Sequence, residues 1–125
     1  MYQPSLLALD EPGFDSRFAQ GTRLELGRGA WVDLHPGWLS GSDALFEEVR
    51  EEAPWALKQR VMWDRLLDEP RLSVLGWDDP PSPIPEMGRC IGEHYGMGVP
   101  SFSANYYRDG NDSVAWHGDN SGKLV

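Results

Sequence analysis

The stretch 102–119, FSANYYRDGNDSVAWHGD, constrains the fold and the chemistry of this chain more than any other segment. It predicts two short strands joined by a turn, with His117 and Asp119 two residues apart on the second strand. Side chains at positions i and i+2 of a strand leave the same face, so this imidazole and this carboxylate can converge on one point. They would supply two of the three ligands in the 2-His-1-carboxylate set that binds non-haem Fe(II). The alternative is a strand-end pair that faces solvent.

The first predicted strand strengthens the metal-site interpretation. Asn105 and Tyr107 alternate with apolar residues and share one face, so a carboxamide and a phenol can lie beside the metal pair. On the second strand Trp116 faces the opposite way and is predicted to pack behind the site. The segment therefore predicts a polar pocket floor formed by Asn105, Tyr107, His117 and Asp119.

Several sequence blocks, taken in order, resemble one known family. NYYRDGNDSVAWHGD is similar to the N-x-Y…H-x-D block of the AlkB-type Fe(II)/2-oxoglutarate dioxygenases, which demethylate alkylated nucleic-acid bases. Upstream, GAWVDLHPGW, then APW and then QRVMWDRLLDEPRL resemble the N-terminal half of bacterial members. The resemblance covers residues 20–120, and the ordered co-occurrence of the blocks is more specific than any single motif.

This resemblance implies a fold, a reaction and a set of site residues. The implied fold class is α+β, a partial double-stranded β-helix (jelly roll) with flanking helices. His117 and Asp119 would ligate Fe(II), and Asn105 and Tyr107 would hydrogen-bond 2-oxoglutarate. The implied chemistry couples oxidative decarboxylation of 2-oxoglutarate by O2 to hydroxylation of an N-methyl group on a base. The hydroxylated methyl group is then released as formaldehyde. The implied partner is alkylated nucleic acid, with the choice between DNA and RNA left open.

The aromatic segment after residue 55 resembles the family's nucleotide-recognition lid. By that resemblance Trp63, Arg71 and Trp77 are candidates to contact a substrate base or phosphate. Aromatic rings stack on extruded bases, and Arg pairs with phosphate. The competing interpretation is that each Trp is buried for packing. Trp77 stands near a position where a Tyr is common in the family, so a tyrosine hydroxyl contact is in doubt.

Periodicity and turn residues predict the remaining elements. His35, at a turn, and His94, at a helix edge, are predicted to be turn or surface residues rather than iron ligands. Ser40 or Ser42 is expected to cap the first helix. The predicted elements are strands 23–26 and 30–34, a helix over 40–53 ended by Pro54, a hairpin of 59–65 and 71–77 around a turn at 68–70, a stiff loop over 78–85, and a helix over 85–95 ended by Gly96.

Composition bounds the class of protein. With 125 residues and 40% hydrophobic content, residues 1–125 are expected to form a single domain. The one cysteine fits a reducing, cytoplasmic location, and the chain lacks a predicted signal peptide or membrane-spanning run. No obligate protein partner is evident. The net charge of −9 argues against a simple nucleic-acid binder and leaves the substrate open.

The chain also departs from the family pattern. No His follows Asp119, and the Arg residues that would clamp 2-oxoglutarate are absent, so the domain is interpreted as truncated at its C-terminus. We therefore expect this chain alone to be inactive or nearly so, with an uncovered apolar face. Two alternatives stay open: a dioxygenase that acts on protein or small molecules, and a non-catalytic nucleic-acid-binding module.

Overall fold

The computed structural model describes residues 11–98 and 101–115. The predicted metal ligands His117 and Asp119, together with Trp116, lie outside the described residues. The chain divides into two compact units. The described part of the first unit comprises residues 11–53, 77–98 and 101–102, and that of the second comprises residues 54–76 and 103–115.

The first unit contains two antiparallel strand pairs. β1 (Gly13–Phe14) pairs with β4 (Leu39–Ser40), and β2 (Thr22–Gly27) pairs with β3 (Ala30–Leu34). Both strands of the second pair were predicted, on either side of Gly27-Arg28-Gly29, and the structure adds their antiparallel pairing as a hairpin. One face of this hairpin carries aliphatic side chains that are largely exposed: Leu24, Leu26, Val32 and Leu34.

Both predicted helices are present in this unit. α1 (Ser42–Glu52) contributes the buried Leu45, and α2 (Ile84–Tyr95) ends at Gly96, which adopts the left-handed conformation as predicted. The predicted serine cap of α1 is wrong. The N-cap is Gly41, whose positive φ of 64° turns the chain into the helix without a side-chain hydrogen bond, and Ser42 already lies inside the helix.

The second unit contains a three-stranded antiparallel sheet in the order β5–β6–β7. Its strands are β5 (Ala56–Met62), β6 (Arg65–Val74) and β7 (Ala104–Tyr106). The predicted turn at 68–70 is wrong, since these residues lie within β6 and the chain turns at Trp63-Asp64 instead. Opposite Lys58 the register shifts, so that β6 bulges where Pro70 lies. Proline is tolerated there because a bulge leaves its position out of the hydrogen-bond ladder.

The turn predicted after β7 is present, with the Asp112 N–H donating to the Asp109 carbonyl at 3.2 Å, but the segment after the turn differs from the prediction. β7 pairs with β6, at Leu72↔Tyr106 and Val74↔Ala104, and the described part of the predicted second strand, Val114 and Ala115, is not in a strand. The chain after the turn is bonded to β6 instead, through the Ser113 N–H to the Pro70 carbonyl and Arg71 to the Ser113 carbonyl.

These elements confirm a mixed α+β composition with antiparallel sheets. The partial double-stranded β-helix and the single domain stay predictions. In the described ranges, neither helix is long and apolar enough to cross a membrane.

Candidate functional site

β7 presents the two predicted cosubstrate contacts. Asn105 and Tyr107 are exposed, whereas Ala104 and Tyr106, which alternate with them, are half-buried, so the predicted alternation is confirmed. Tyr106 packs on the other side, with its ring centroid 5.5 Å from that of Trp55. The sheet therefore leaves an amide and a phenol available to a ligand.

A residue that the sequence did not single out lies directly beside Asn105. Ser73 of β6 is the register partner of Asn105 and is only 3% exposed. Its hydroxyl is buried and has no hydrogen-bond partner among the residues that the structure describes. The signal that could have found it is a lone hydroxyl within the apolar run Leu72–Leu75, LSVL.

The loop that leaves β7 is tied together by its own side chains. Asp112 accepts three hydrogen bonds from Arg108, from the backbone N–H at 2.8 Å, from Nε at 2.7 Å and from Nη2 at 3.0 Å. The Arg108 guanidinium and N–H hold the pKa of the Asp112 carboxyl down to about 2. At the loop's centre the Asn111 N–H donates to the Asp109 carboxylate at 2.8 Å. The loop is thus ordered by local contacts.

The same loop docks on β6 through Ser113. The Ser113 N–H donates to the Pro70 carbonyl at 2.8 Å, and Arg71 Nη1 donates to the Ser113 carbonyl at 3.3 Å. Arg71 also lies 3.3 Å from the Glu69 carboxylate, and its side chain is 15% exposed. The candidate phosphate contact Arg71 therefore already fixes the segment that leads, four residues later, to His117.

The candidate base contact Trp63 lies at the tip of the β5–β6 hairpin and is 85% exposed. Trp63 and Asp64 both have positive φ, 50° and 61°, as a two-residue type I′ turn requires. Asn and Gly are the usual residues there, and a bulky side chain in this conformation is rare. Trp63 is therefore not buried for packing, which was the alternative to a binding role.

Trp77, the third candidate substrate contact, belongs to the first unit, whereas Trp63 and Arg71 belong to the second. Its backbone N–H donates to the Phe102 carbonyl at 2.7 Å, and its side chain is partly buried. A strand was predicted over 71–77, but in the structure β6 ends at Val74, so Trp77 lies outside the strand.

A polar network in the first unit was not predicted. Arg23 forms a bidentate pair with Asp33, at 2.7 and 2.9 Å, and the Tyr95 hydroxyl donates to Asp33 at 2.6 Å. These hydrogen bonds hold the pKa of the Asp33 carboxyl well below its ordinary value. His35, predicted as a turn or surface residue, is half-buried and lies 3.1 Å from the Tyr95 hydroxyl.

This network joins the β2–β3 hairpin to the end of α2. Tyr95 lies 62 residues from Asp33 and 60 from His35 in the sequence, so local patterns could not reveal these two contacts. Phe18 stacks on His94 with centroids 3.9 Å apart. A cavity of about 240 Å³ beside them is also lined by Arg23, Asp33 and His35. Across residues 11–98 and 101–115, no group of three or more His, Cys, Asp or Glu side chains could hold a metal ion.

Comparison with curated proteins finds relatives of one kind. The chain is similar to the alpha-ketoglutarate-dependent dioxygenase alkB homolog 3 of Rattus norvegicus, at 29% identity over 109 residues. The proteins of the same name from Bos taurus and Mus musculus are 28% identical over 109 residues. This similarity supports an AlkB-like dioxygenase family. The matches cover 74% of this chain, which spans 37–38% of the length of these relatives. No family model and no solved structure matches.

The described residues fit the cosubstrate that the AlkB-like resemblance implies. Asn105 offers amide N–H groups, Tyr107 a phenolic O–H, and Ser73 a buried hydroxyl that lacks a partner among the described residues. All three groups can donate to a carboxylate. For the metal, His117 and Asp119 carry donor atoms of the kind that Fe(II) takes in such sites.

Proposed function

We propose that this chain is part of an Fe(II)- and 2-oxoglutarate-dependent dioxygenase that demethylates alkylated bases in DNA or RNA. The observation that carries the proposal is the exposed pair Asn105 and Tyr107 on and just after β7, twelve and ten residues before His117 in a segment with the family's motif. The proposed fold is a partial double-stranded β-helix, of which the β5–β6–β7 sheet is one part. The proposed location is the cytoplasm.

In this proposal the chain's own residues bind and orient two molecules. Asn105 and Tyr107 donate hydrogen bonds to 2-oxoglutarate, and His117 and Asp119 hold the metal. When bound, Fe(II) with 2-oxoglutarate and O2 supplies the oxidation that hydroxylates an N-methyl group, which then leaves as formaldehyde. Arg71 and Arg108 bond to Ser113 and Asp112, in the loop that precedes the metal ligands in the sequence.

Trp63 supports nucleic acid as the substrate class. An exposed indole at a hairpin tip can stack on a base, since every base has an aromatic face. Arg60 and Arg65, exposed on the two strands next to the tip, add positive charge close to it. Residues 58–71 carry four basic side chains against three acidic ones, so this hairpin is slightly positive while the whole chain has a net charge of −9. We propose Trp63 as a base contact, and Trp77 as a second aromatic contact on the strength of the family resemblance alone.

The test measures succinate formed from 2-oxoglutarate by the 125-residue chain with Fe(II) and ascorbate. We expect slow turnover that methylated single-stranded DNA or RNA stimulates, and that is lost in His117→Ala and Asp119→Ala. Stimulation by small molecules or peptides instead would assign a different substrate class. If the chain binds neither Mn(II) nor 2-oxoglutarate in titrations, the dioxygenase proposal is wrong.

A further inference from the structure

We propose that the Ser73 hydroxyl is a further contact to the ligand that Asn105 binds, and that this ligand is a dicarboxylate of the 2-oxoglutarate class. The inference rests on the proposed function, because it takes Asn105 as a cosubstrate contact. It adds a residue that neither the motif nor the comparisons single out.

The first support is position. Ser73 and Asn105 are register partners on the adjacent antiparallel strands β6 and β7. Side chains of directly opposed residues leave the same face, with Cβ atoms about 4.5–5.5 Å apart. One carboxylate group is small enough to accept hydrogen bonds from both side chains at that spacing.

The second support is the unpartnered hydroxyl. Ser73 is 3% exposed, and its Oγ has no hydrogen-bond partner among the described residues. Buried polar side-chain atoms nearly always have a partner, from the protein or from a bound molecule. On the other side of β6, Ser73 is opposed by Ala56, which has no polar side-chain atom. Of the two cross-strand neighbours, only Asn105 is polar.

The third support is the kind of donor that this face offers. The serine hydroxyl and the asparagine amide both donate, and Tyr107, just beyond β7, adds a phenolic O–H. A ligand that supplies several acceptor oxygens and no donors satisfies such a set, and a carboxylate is that ligand. Hydrogen bonds to an ionised group are also the stronger kind, so each lost donor should weaken binding measurably.

Titration calorimetry of 2-oxoglutarate into the 125-residue chain with Mn(II) tests the proposal. We expect Ser73→Ala to raise the Kd about tenfold, as for the loss of one hydrogen bond to a charged group. Ser73→Thr keeps the hydroxyl and should bind within about threefold of the wild type. Ser101→Ala, which removes an exposed hydroxyl outside this sheet, is the control and should bind as the wild type does. Asn105→Ala reports on the proposed site itself.

The outcomes separate the two levels of the proposal. If Asn105→Ala weakens binding while Ser73→Ala does not, the role of Ser73 is wrong and the proposed function stands. If the wild type binds no 2-oxoglutarate, the proposed function fails and the role of Ser73 fails with it. Circular dichroism melting of each variant shows whether it is folded. Should Ser73→Ala unfold, Ser73→Cys, which keeps the volume with a weak donor, must show the weakened binding.

Discussion

The two hairpins of this protein make the same turn with different residues. In the first unit Arg28 and Gly29 have φ of 55° and 79°, and in the second unit Trp63 and Asp64 have φ of 50° and 61°. Both turns are closed by directly paired residues, Gly27↔Ala30 and Met62↔Arg65. At the first turn position Arg28 corresponds to Trp63, which is 85% exposed, and at the second position Gly29 corresponds to Asp64.

The difference at the first turn position is the side chain itself: an arginine in the first unit and a large exposed indole in the second. A side chain in the left-handed region costs conformational energy, and this one recovers little of it by burial. Strain of this kind persists at binding sites, where the side chain's position matters more than its energy. The exposed indole at the second turn supports the proposed role of Trp63 as a base contact, which the following predictions test.

The largest expected effect comes from removing the indole. Trp63→Ala should weaken binding of single-stranded nucleic acid by about 2 kcal/mol, because one base loses its stacking partner. Fluorescence anisotropy with a labelled oligonucleotide measures this change. Val61→Ala removes another exposed apolar side chain, 70% exposed on the same hairpin, and should leave the affinity unchanged. Equal losses in both variants would show that the hairpin binds through general hydrophobic area and not through the tip.

The next effect concerns the turn of the first unit. Gly29→Ala should lower the free energy of unfolding by about 1–2 kcal/mol, because φ is 79° there and alanine disfavours the left-handed region. A Cβ at this position would meet nothing within 4 Å, so the cost is conformational and not steric. Urea denaturation measures it. An unchanged midpoint would mean that the β2–β3 turn tolerates side chains as readily as the turn at Trp63.

At the second turn we expect a substitution to raise the free energy of unfolding instead of lowering it. Trp63→Asn should raise the free energy of unfolding by about 1 kcal/mol, because asparagine accepts the left-handed conformation at lower cost. The same variant should bind nucleic acid as weakly as Trp63→Ala. A gain in stability together with lost binding would establish the trade-off at this tip, and a loss of stability would show that the indole packs productively in solution.

The sequence predicted the first of these turns and missed the second for a physical reason. Gly27-Arg28-Gly29 between alternating runs is a strong turn signal, whereas Trp63-Asp64 is not, and Asp68-Glu69-Pro70 offered a better match to turn chemistry. The pairing of β6 with β5 on one side and β7 on the other overrode that local preference. A bulge then accommodated Pro70 inside the strand.

The same limit applies to the candidate site. Alternation along 103–107 correctly predicted that Asn105 and Tyr107 differ from their neighbours in exposure, since that information is local. Ser73 was missed because its importance comes only from its register with Asn105. Arg71 was predicted as a substrate contact, and the structure adds an ion pair with the neighbouring Glu69 and a hydrogen bond to the Ser113 carbonyl, 42 residues away.

The smallest expected effect is a pH dependence that compares the Arg–Asp pairs of the two units. The pKa of Asp112 is lowered to about 2 by Arg108, so its contribution to stability is present above the ordinary carboxyl pKa of about 3.9 and is lost as the pH falls through 2. The difference in the free energy of unfolding between the wild type and Asp112→Asn should therefore become smaller as the pH is lowered from 5 towards 2. The pKa of Asp33 is lowered further, by Arg23 and Tyr95, so an Asp33→Asn variant should keep its difference from the wild type to lower pH. Chemical denaturation of both variants across this range measures the two differences, and parallel loss in both would show that the two carboxyls are equally stabilised.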